Sequence, residues 1–205
     1  MGYQTSWKVK GLIDLRKVIL ASKSPRRKKL LKRVLQNFST ESSGLKEPLV
    51  GEIDNPIEFV KALSVGKAST VLKRNNDSVI ISADTVVILG KRILGKPKNM
   101  EQAIEMIRTM RGQELDILTA FTIMDSERTV TRCVESKVFM RDFSEEDIKK
   151  YIKKANPLDK AGAYAVQYDK GFLASHIEGE YENIVGLPIK ALKEELERFR
   201  LYSDE

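Results

Sequence analysis

The segment from Ser78 to Leu89 reads SVIISADTVVIL and is the feature that most constrains the fold of this chain. It is an almost uninterrupted run of apolar, mostly β-branched residues, which predicts a buried strand. Asp84 and Thr85 nevertheless stand in the middle of the run. Because an ionised carboxylate is costly to bury without compensation, we expect Asp84 to face a metal ion, a cation or a cleft.

Helices and strands alternate along the chain. Asn55 and Pro56 combine a capping residue with a first-turn proline, which indicates a helix start. The predicted helices are the one that Pro25 opens, carrying Lys28 to Gln36, and about 56–73, 100–110, 145–154 and 188–200. The predicted strands are about 17–22, 78–89, 115–125, 129–141 and 171–178. This order favours an α/β sandwich around a mixed sheet, and 205 residues with 41% hydrophobic content can bury one sizeable core.

A turn of small and basic residues follows the first predicted strand and leads into the first predicted helix. Pro25 suits the first turn of a helix, where its missing N–H costs nothing. Hydroxyls, guanidiniums and the free N–H groups of the helix start could converge there on one anion. The same pattern is also typical of a plain helix cap with solvated arginines. The candidate phosphate-binding residues of this turn are Ser22, Ser24, Arg26 and Arg27.

Two later segments carry further candidates. The turn Gly95-Lys96-Pro97 follows the buried strand closely and could fix an ammonium group near Asp84. The segment from Pro157 to Gln167 places Asp159, Lys160 and Gln167 around a glycine-containing turn. Asp159 and Lys160 could equally form an ion pair that only holds the loop.

The chain is basic, with 36 Lys and Arg against 29 Asp and Glu and a formal charge of +7. Such a charge suits nucleic acids as well as nucleotides. The one dense basic cluster lies in 23–33 and coincides with the candidate phosphate turn, and no aromatic-rich stacking motif accompanies it. We therefore expect a small nucleotide ligand and no nucleic acid.

The cysteine and histidine content and the hydropathy of the sequence limit the functional classes to which the protein could belong. The single Cys133 cannot form an intramolecular disulfide, and the lone His176 is more readily explained as structural than as catalytic. Neither a signal peptide nor a run of about 20 apolar residues is visible, so we expect a cytoplasmic protein without membrane contact.

Five ordered motifs carry a family resemblance. They are LASxSPRR at Leu20–Arg27, ADTVV at Ala83–Val87, GKP at Gly95–Pro97, DKAGAYxxQ at Asp159–Gln167 and GxYxNxxGLP at Gly179–Pro188. With these motifs the chain resembles the Maf family of nucleoside triphosphate pyrophosphatases from about Lys17 to about Phe199.

The resemblance implies a fold, an activity and an assembly. The fold would be a Maf/ITPase-like elongated mixed sheet flanked by helices, with two lobes around a central cleft. Residues 17–205 would form a single domain, preceded by an extension over 1–16. The expected reaction is hydrolysis of the α–β phosphoanhydride of a nucleoside triphosphate, and the expected assembly is a homodimer.

The resemblance also assigns roles to residues. Asp84 would accept a proton from the attacking water, assisted by Lys96 and a divalent metal ion. Lys67 would join Ser22, Ser24, Arg26 and Arg27 in holding the phosphates, and Asp159 and Lys160 would also bind substrate. Glu47 and Asp84 would hold the metal, which we expect to be Mg²⁺ or Mn²⁺ because one histidine and one cysteine cannot build a zinc cage.

Base preference is expected to depend on Arg26, Thr85 and Gln167. These residues match the subgroup that cleaves dTTP and UTP, and an amide such as that of Gln167 can complement the N3–H and a neighbouring carbonyl of uracil or thymine. Modified pyrimidine nucleotides are possible further substrates in this subgroup. The alternatives are a 7-methyl-GTP or an inosine or xanthosine triphosphate pyrophosphatase, and a non-catalytic nucleotide-binding regulator of cell division.

Overall fold

The computed structural model describes residues 16–45 and 51–201 and has a mixed β-sheet at its centre. Seven strands of the described chain form this sheet, in the order β2-β1-β3-β5-β6-β7, with β4 paired to β3. The strands are β1 (Val18–Leu20), β2 (Ser39–Thr40), β3 (Val79–Leu89), β4 (Arg92–Leu94), β5 (Glu114–Met124), β6 (Thr129–Met140) and β7 (Ala174–Glu178). The expected α/β fold with a mixed sheet is confirmed.

Helices flank the sheet on both faces. They are α1 (Pro25–Leu31), α2 (Pro56–Leu72), α3 (Met100–Thr109), α4 (Glu145–Ile152), α5 (Val166–Asp169), α6 (Tyr181–Val185) and α7 (Ile189–Arg198). The predicted cap at Asn55 and the helix-cap alternative for the turn before Pro25 are confirmed. The side chains of Ser24, Asn55, Asn99 and Ser144 each accept a hydrogen bond from a backbone N–H of the first helical turn.

Strand β3 is open in its middle along one edge. Its other edge pairs with β5 continuously, from Ile80 opposite Met124 to Ile88 opposite Asp116. On the open side β1 runs parallel and pairs only as far as Ile81, whereas β4 runs antiparallel and pairs only from Val87 onward. The C-terminal ends of β1 and β4 therefore face each other across residues 82–86, which is where a crevice forms.

Alternation along β3 separates two parts of the hydrophobic core. Val79, Ile81 and Ala83 pack with α1 and α7, whereas Val87 packs with α3 and α4. Thr85 lies between these two clusters on the same face of the strand. The opposite face of β3 packs against α2 through Ile80 and Val86. Asp84 therefore points toward α2, between two apolar contacts.

Several predicted elements are shorter in the structure, three of them markedly. The predicted strand 17–22 spans only Val18–Leu20, because the Ser22 N–H donates to the Leu20 carbonyl at 2.8 Å and turns the chain. The predicted helix to Gln36 ends at Leu31 because Arg33 and Val34 donate to carbonyls three residues back, which turns the chain while Val34 stays buried. The predicted strand 171–178 begins only at Ala174, because the Asp169 carboxylate binds the N–H groups of residues 173 and 174.

None of the helices within 16–45 and 51–201 combines the length and the apolar character that a membrane crossing requires.

Candidate active site

A cleft of about 1040 Å³ opens at the unpaired middle of β3. Its described lining comes mainly from the turn after β1 and the start of α1, from β3, β4 and the turn after it, from α2, from the loop before α5 and from α5 itself, with contributions from α3 and α6. The cleft brings together all the predicted site residues that the structure describes: Ser22, Ser24, Arg26, Arg27, Lys67, Asp84, Thr85, Lys96, Asp159, Lys160 and Gln167. Glu47, the remaining predicted residue, falls in 46–50 and lies outside the described residues.

The turn after β1 is both a helix cap and a wall of the cleft. The Ser24 hydroxyl accepts a hydrogen bond from the Arg27 N–H at 3.4 Å, and the Ser22 hydroxyl accepts one from the Ser24 N–H at 3.2 Å. The capping interpretation is therefore correct for Ser24. Ser24 also lines the cleft, and its role in phosphate binding stays a prediction.

Arg27 joins α1 to β3 and to the residue that follows α6. Its Nε donates to the Gly186 carbonyl at 2.8 Å and its Nη2 donates to Thr85 Oγ1 at 3.0 Å. Gly186 has a φ of +119°, and a Cβ there would lie 3.3 Å from Thr85 Oγ1. The positive φ and the narrow space together favour glycine at this position.

Asp84 and Lys67 form a buried ion pair, in which Lys67 Nζ donates to Asp84 Oδ1. Both residues are only 7% exposed. Lys67 taken by itself would be interpreted as a solvated lysine on a helix, so its burial supports the role implied by the resemblance. The expectation that Asp84 faces a cation and a cleft is confirmed.

Hydroxyl groups hold α2 against the sheet beside this ion pair. Ser82 Oγ donates to the Ser64 carbonyl at 2.7 Å, and Ser64 Oγ lies 2.9 Å from Thr122 Oγ1. Ser64 precedes Lys67 by one helical turn, so these bonds fix the part of α2 that presents Lys67 to Asp84.

The loop with Lys96 and the loop with Lys160 are joined by their backbones. The Gly162 N–H donates to the Gly95 carbonyl at 2.9 Å. Gly162 has a φ of +63°, and a Cβ there would lie 2.9 Å from Met110 Cε, so a side chain would be strained and crowded. This contact brings the two basic loops to the same end of the cleft.

Asp159 lies between two cations at the mouth of the cleft. It pairs with Lys160, and its Oδ2 lies 3.5 Å from Arg26 Nη1. Partial burial alone would raise the pKa of the Asp159 carboxyl, but the hydrogen bond from Lys160 and the positive charges of Lys160 and Arg26 outweigh it and hold that pKa below its ordinary value. The loop-holding ion pair is therefore present, and it lies where a substrate can reach it.

Gln167 presents an unused donor at this site. Its Nε2 is buried, yet it makes no hydrogen bond with any of residues 16–45 and 51–201. Buried amide groups are normally paired, so this atom points to a ligand or a water as its partner. Tyr164, Ile184 and Val185 line the same cleft and could flank a flat ring.

Charge dominates the cleft. Its described lining carries eight Lys and Arg side chains and two carboxylates, those of Asp84 and Asp159. The sequence interpretation did not assign Arg92 and Lys98, which line the cleft from β4 and from the turn after it. Their closeness to the GKP motif is the signal that could have identified them. Such an excess of positive charge suits a polyphosphate.

A hard divalent ion fits the chemistry of this cleft. The described residues contain no group of three or more His, Cys, Asp and Glu side chains arranged around one metal ion. Mg²⁺ commonly needs only one or two carboxylates and takes its other ligands from water and phosphates. Asp84 provides one such carboxylate.

Neither His176 nor Cys133 is among the described residues that line the cleft. His176 stacks on Phe139 with ring centroids 4.2 Å apart. Cys133 lies half-buried in β6, where burial raises the pKa of its thiol. Both positions agree with structural roles.

A family model described as Maf-like protein matches residues 17–199, which is most of the chain. The chain belongs to the Maf family. The matched range includes every residue described above as lining the cleft.

Individual relatives are similar to this chain over most of its length. A protein of Bacillus cereus strain AH187 named dTTP/UTP pyrophosphatase is 39% identical over 187 residues, covering 91% of this chain and 97% of that protein. A Bacillus cytotoxicus protein with the same name is 40% identical over 185 residues, covering 90% and 96%.

A solved structure supports the fold alone. The Staphylococcus aureus Ham1 protein superposes with a TM-score of 0.52 at 14% identity, covering 90% of this chain and all of that one. This likeness agrees with the expected Maf/ITPase-like architecture.

Proposed function

We propose that this protein hydrolyses dTTP and UTP to the nucleoside monophosphate and pyrophosphate, and so removes these nucleotides from the pool. The observation that carries the proposal is the buried Asp84–Lys67 pair in a cleft whose described charged residues are mostly cations. A protein that only bound nucleotides would not need a buried carboxylate among residues that attract phosphates. The names of the Bacillus relatives support the choice of substrates.

The proposed reaction is attack of water on the α-phosphorus. A bond forms between the water oxygen and this phosphorus, the bond from the phosphorus to the α–β bridging oxygen breaks, and pyrophosphate leaves. Asp84 accepts the proton of the water. Arg26, Lys67, Lys96 and Lys160 neutralise the triphosphate, and the turn of Ser22 and Ser24 adds hydrogen-bond donors. Arg27 orients this turn through its bonds to Thr85 and Gly186.

We further propose Mg²⁺ or Mn²⁺ as the cofactor. Asp84 would hold the ion together with Glu47 and phosphate oxygens. When bound, the ion would lower the pKa of a water and neutralise phosphate charge.

The first experiment is a substrate profile. Purified protein is incubated with Mg²⁺ or Mn²⁺ and each of dTTP, UTP, CTP, GTP, ITP and 7-methyl-GTP, and monophosphate plus pyrophosphate is resolved from diphosphate plus phosphate. We expect dTMP and UMP, each with pyrophosphate, to form fastest. A preference for 7-methyl-GTP or ITP would contradict the proposed substrates but support the proposed pyrophosphatase reaction. Binding without any turnover would instead support the regulator.

Gln167 is expected to set base preference. Replacing it with alanine should lower the ratio of kcat/KM for UTP over CTP by about tenfold, because the free amide donor would be lost from the base pocket. Gln167→Glu, which replaces the donor by a carboxylate of similar size, should lower the ratio as well. The measurement is steady-state kinetics on both nucleotides.

Gln113 offers a matched control, since it is exposed and is not among the described cleft residues. Gln113→Ala should leave the UTP preference unchanged. An unchanged preference in both Gln167 variants would show that this amide does not contact the base.

The remaining parts of the proposal are a cytoplasmic location, a homodimeric state and the absence of nucleic-acid binding. Modified pyrimidine nucleotides are further candidate substrates, and adding 5-methyl-UTP to the profile tests them directly.

A further inference from the structure

A chain of hydrogen bonds runs from the cleft into the core through two threonines on neighbouring strands. Arg27 Nη2 donates to Thr85 Oγ1 at 3.0 Å, and Thr85 Oγ1 lies 3.0 Å from Thr119 Oγ1. Thr119 Oγ1 in turn donates to the Asn183 carbonyl at 2.8 Å. Thr85 and Thr119 stand directly opposite each other in the pairing of β3 with β5. Thr119 is fully buried, so the inner end of this chain is shielded from water.

The partners fix the direction of each bond. A hydroxyl has one hydrogen to donate and two lone pairs to accept with. A carbonyl only accepts, so the hydrogen of Thr119 is committed to Asn183. At the contact between the threonines the hydrogen must therefore come from Thr85. Thr85 thus donates to Thr119 and accepts from Arg27, which leaves a single lone pair.

This polarity limits what Thr85 can bind. Its remaining lone pair can only accept a hydrogen bond, so a substrate atom that contacts it must carry an N–H or an O–H. The ring N3–H of uracil and thymine is such a donor, whereas N3 of cytosine is a bare acceptor. Thr85 lines the cleft, so its hydroxyl lies within the region that a nucleotide would fill.

We propose that Thr119 is a positioning residue that holds the Thr85 hydroxyl as an acceptor, so that the site selects a base with a ring N–H. This inference rests on the proposed function, because it concerns selection among pyrimidine nucleotides. Thr119 is not among the described residues of the cleft lining, and it acts through Thr85. Asn183, whose Nδ2 donates to the Ile117 carbonyl and to Ser136 Oγ, anchors the inner end of the chain.

The test compares three variants of the full-length protein. Thr119→Val keeps the shape but removes the hydroxyl, so Thr85 can rotate and donate toward the cleft. Thr119→Ser restores the hydroxyl. Thr122→Val is the matched control for the UTP/CTP ratio, because Thr122 is an equally buried threonine of β5 whose hydroxyl contacts Ser64 and Thr131. Through Ser64 it supports the part of α2 that carries Lys67, which acts on phosphates that UTP and CTP share, so a loss of activity there should be equal for both nucleotides.

We expect kcat/KM for UTP over CTP to fall about tenfold in Thr119→Val and to stay close to that of the parent in Thr119→Ser and Thr122→Val. Melting temperatures should fall in both valine variants, which separates a stability effect from a selectivity effect. Loss of stability in Thr119→Val with an unchanged ratio would overturn the proposal. An equal loss on UTP and CTP would also overturn it.

Binding measurements distinguish a failure of this inference from a failure of the proposed function. Calorimetry with the α,β-methylene analogues of UTP and CTP measures selection without turnover. Should the parent bind these analogues but hydrolyse no nucleotide, the proposed function fails, and a lower UTP preference of Thr119→Val in binding would still support the role of Thr119. An unchanged binding preference would overturn it.

Discussion

Replacing Asp84 with asparagine is expected to lower kcat for dTTP by about 10³-fold, within the range that a general base contributes. Asparagine has the same shape as aspartate, but its amide does not take a proton from water. Nucleotide binding should be kept or become tighter, because the variant removes one of the two carboxylates among the described lining residues of a strongly basic cleft. The measurements are steady-state hydrolysis and calorimetric binding of α,β-methylene-dTTP.

An exposed aspartate provides the control for this variant. Asp77 follows α2 at the surface, and Asp77→Asn should hydrolyse dTTP as the parent does. Hydrolysis at the parental rate by Asp84→Asn would remove Asp84 from the role of base. A joint loss of binding and turnover would instead assign to Asp84 a purely structural role in shaping the cleft.

The sequence was most informative about Asp84, because the cost of burying its charge can be inferred from the neighbouring residues alone. A carboxylate within an apolar strand needs compensation wherever the strand lies in the fold, and the structure supplies Lys67. Lys67 itself was identified only through the family resemblance. Its position gave a usable signal, since it falls on the stripe of α2 that also buries Val60, Ser64 and Val71.

The longer elements were predictable for a similar reason. Capping residues and hydrophobic patterns act within a few residues, so α2, β3, β5 and β6 were expected close to their observed bounds. The two-residue β2, the three-residue β4 and the short α5 and α6 are too brief to show a period. Their formation depends on contacts with distant parts of the chain.

Contacts distant in sequence also explain what was missed at the site. The phosphate role of Arg27 stays a prediction, but its place beside Arg26 could not indicate its contacts with Thr85 and Gly186, which lie 58 and 159 residues away. The link between Thr85 and Thr119 depends on the register of β3 with β5, which no single motif specifies. Residue types therefore located the cleft, whereas the pairing of strands determines which atoms remain available in it.

Replacing Lys67 with methionine is expected to lower the free energy of unfolding by about 3–5 kcal/mol, the usual cost of removing one partner of a buried ion pair. Methionine fills a similar volume, so the loss comes from the Asp84 carboxylate that remains buried without the Lys67 ammonium. Urea unfolding in the absence of nucleotide measures this change. Lys61→Met is the control on the same helix, because Lys61 pairs with Glu58 at the surface and should contribute little.

A double variant tests whether the broken Asp84–Lys67 ion pair causes the loss of stability in Lys67→Met. Asp84→Asn together with Lys67→Met removes both charges, so it should destabilise the protein by less than the sum of the single variants. Additive losses, or a Lys67→Met variant as stable as the parent, would contradict a buried pair in solution. The double variant should remain inactive on dTTP even where its stability is largely recovered, because neither methionine nor asparagine can bind phosphate charge or accept the proton of water. Recovery of stability without recovery of turnover would thus separate the chemical role of Asp84 and Lys67 from their role in holding α2 against β3.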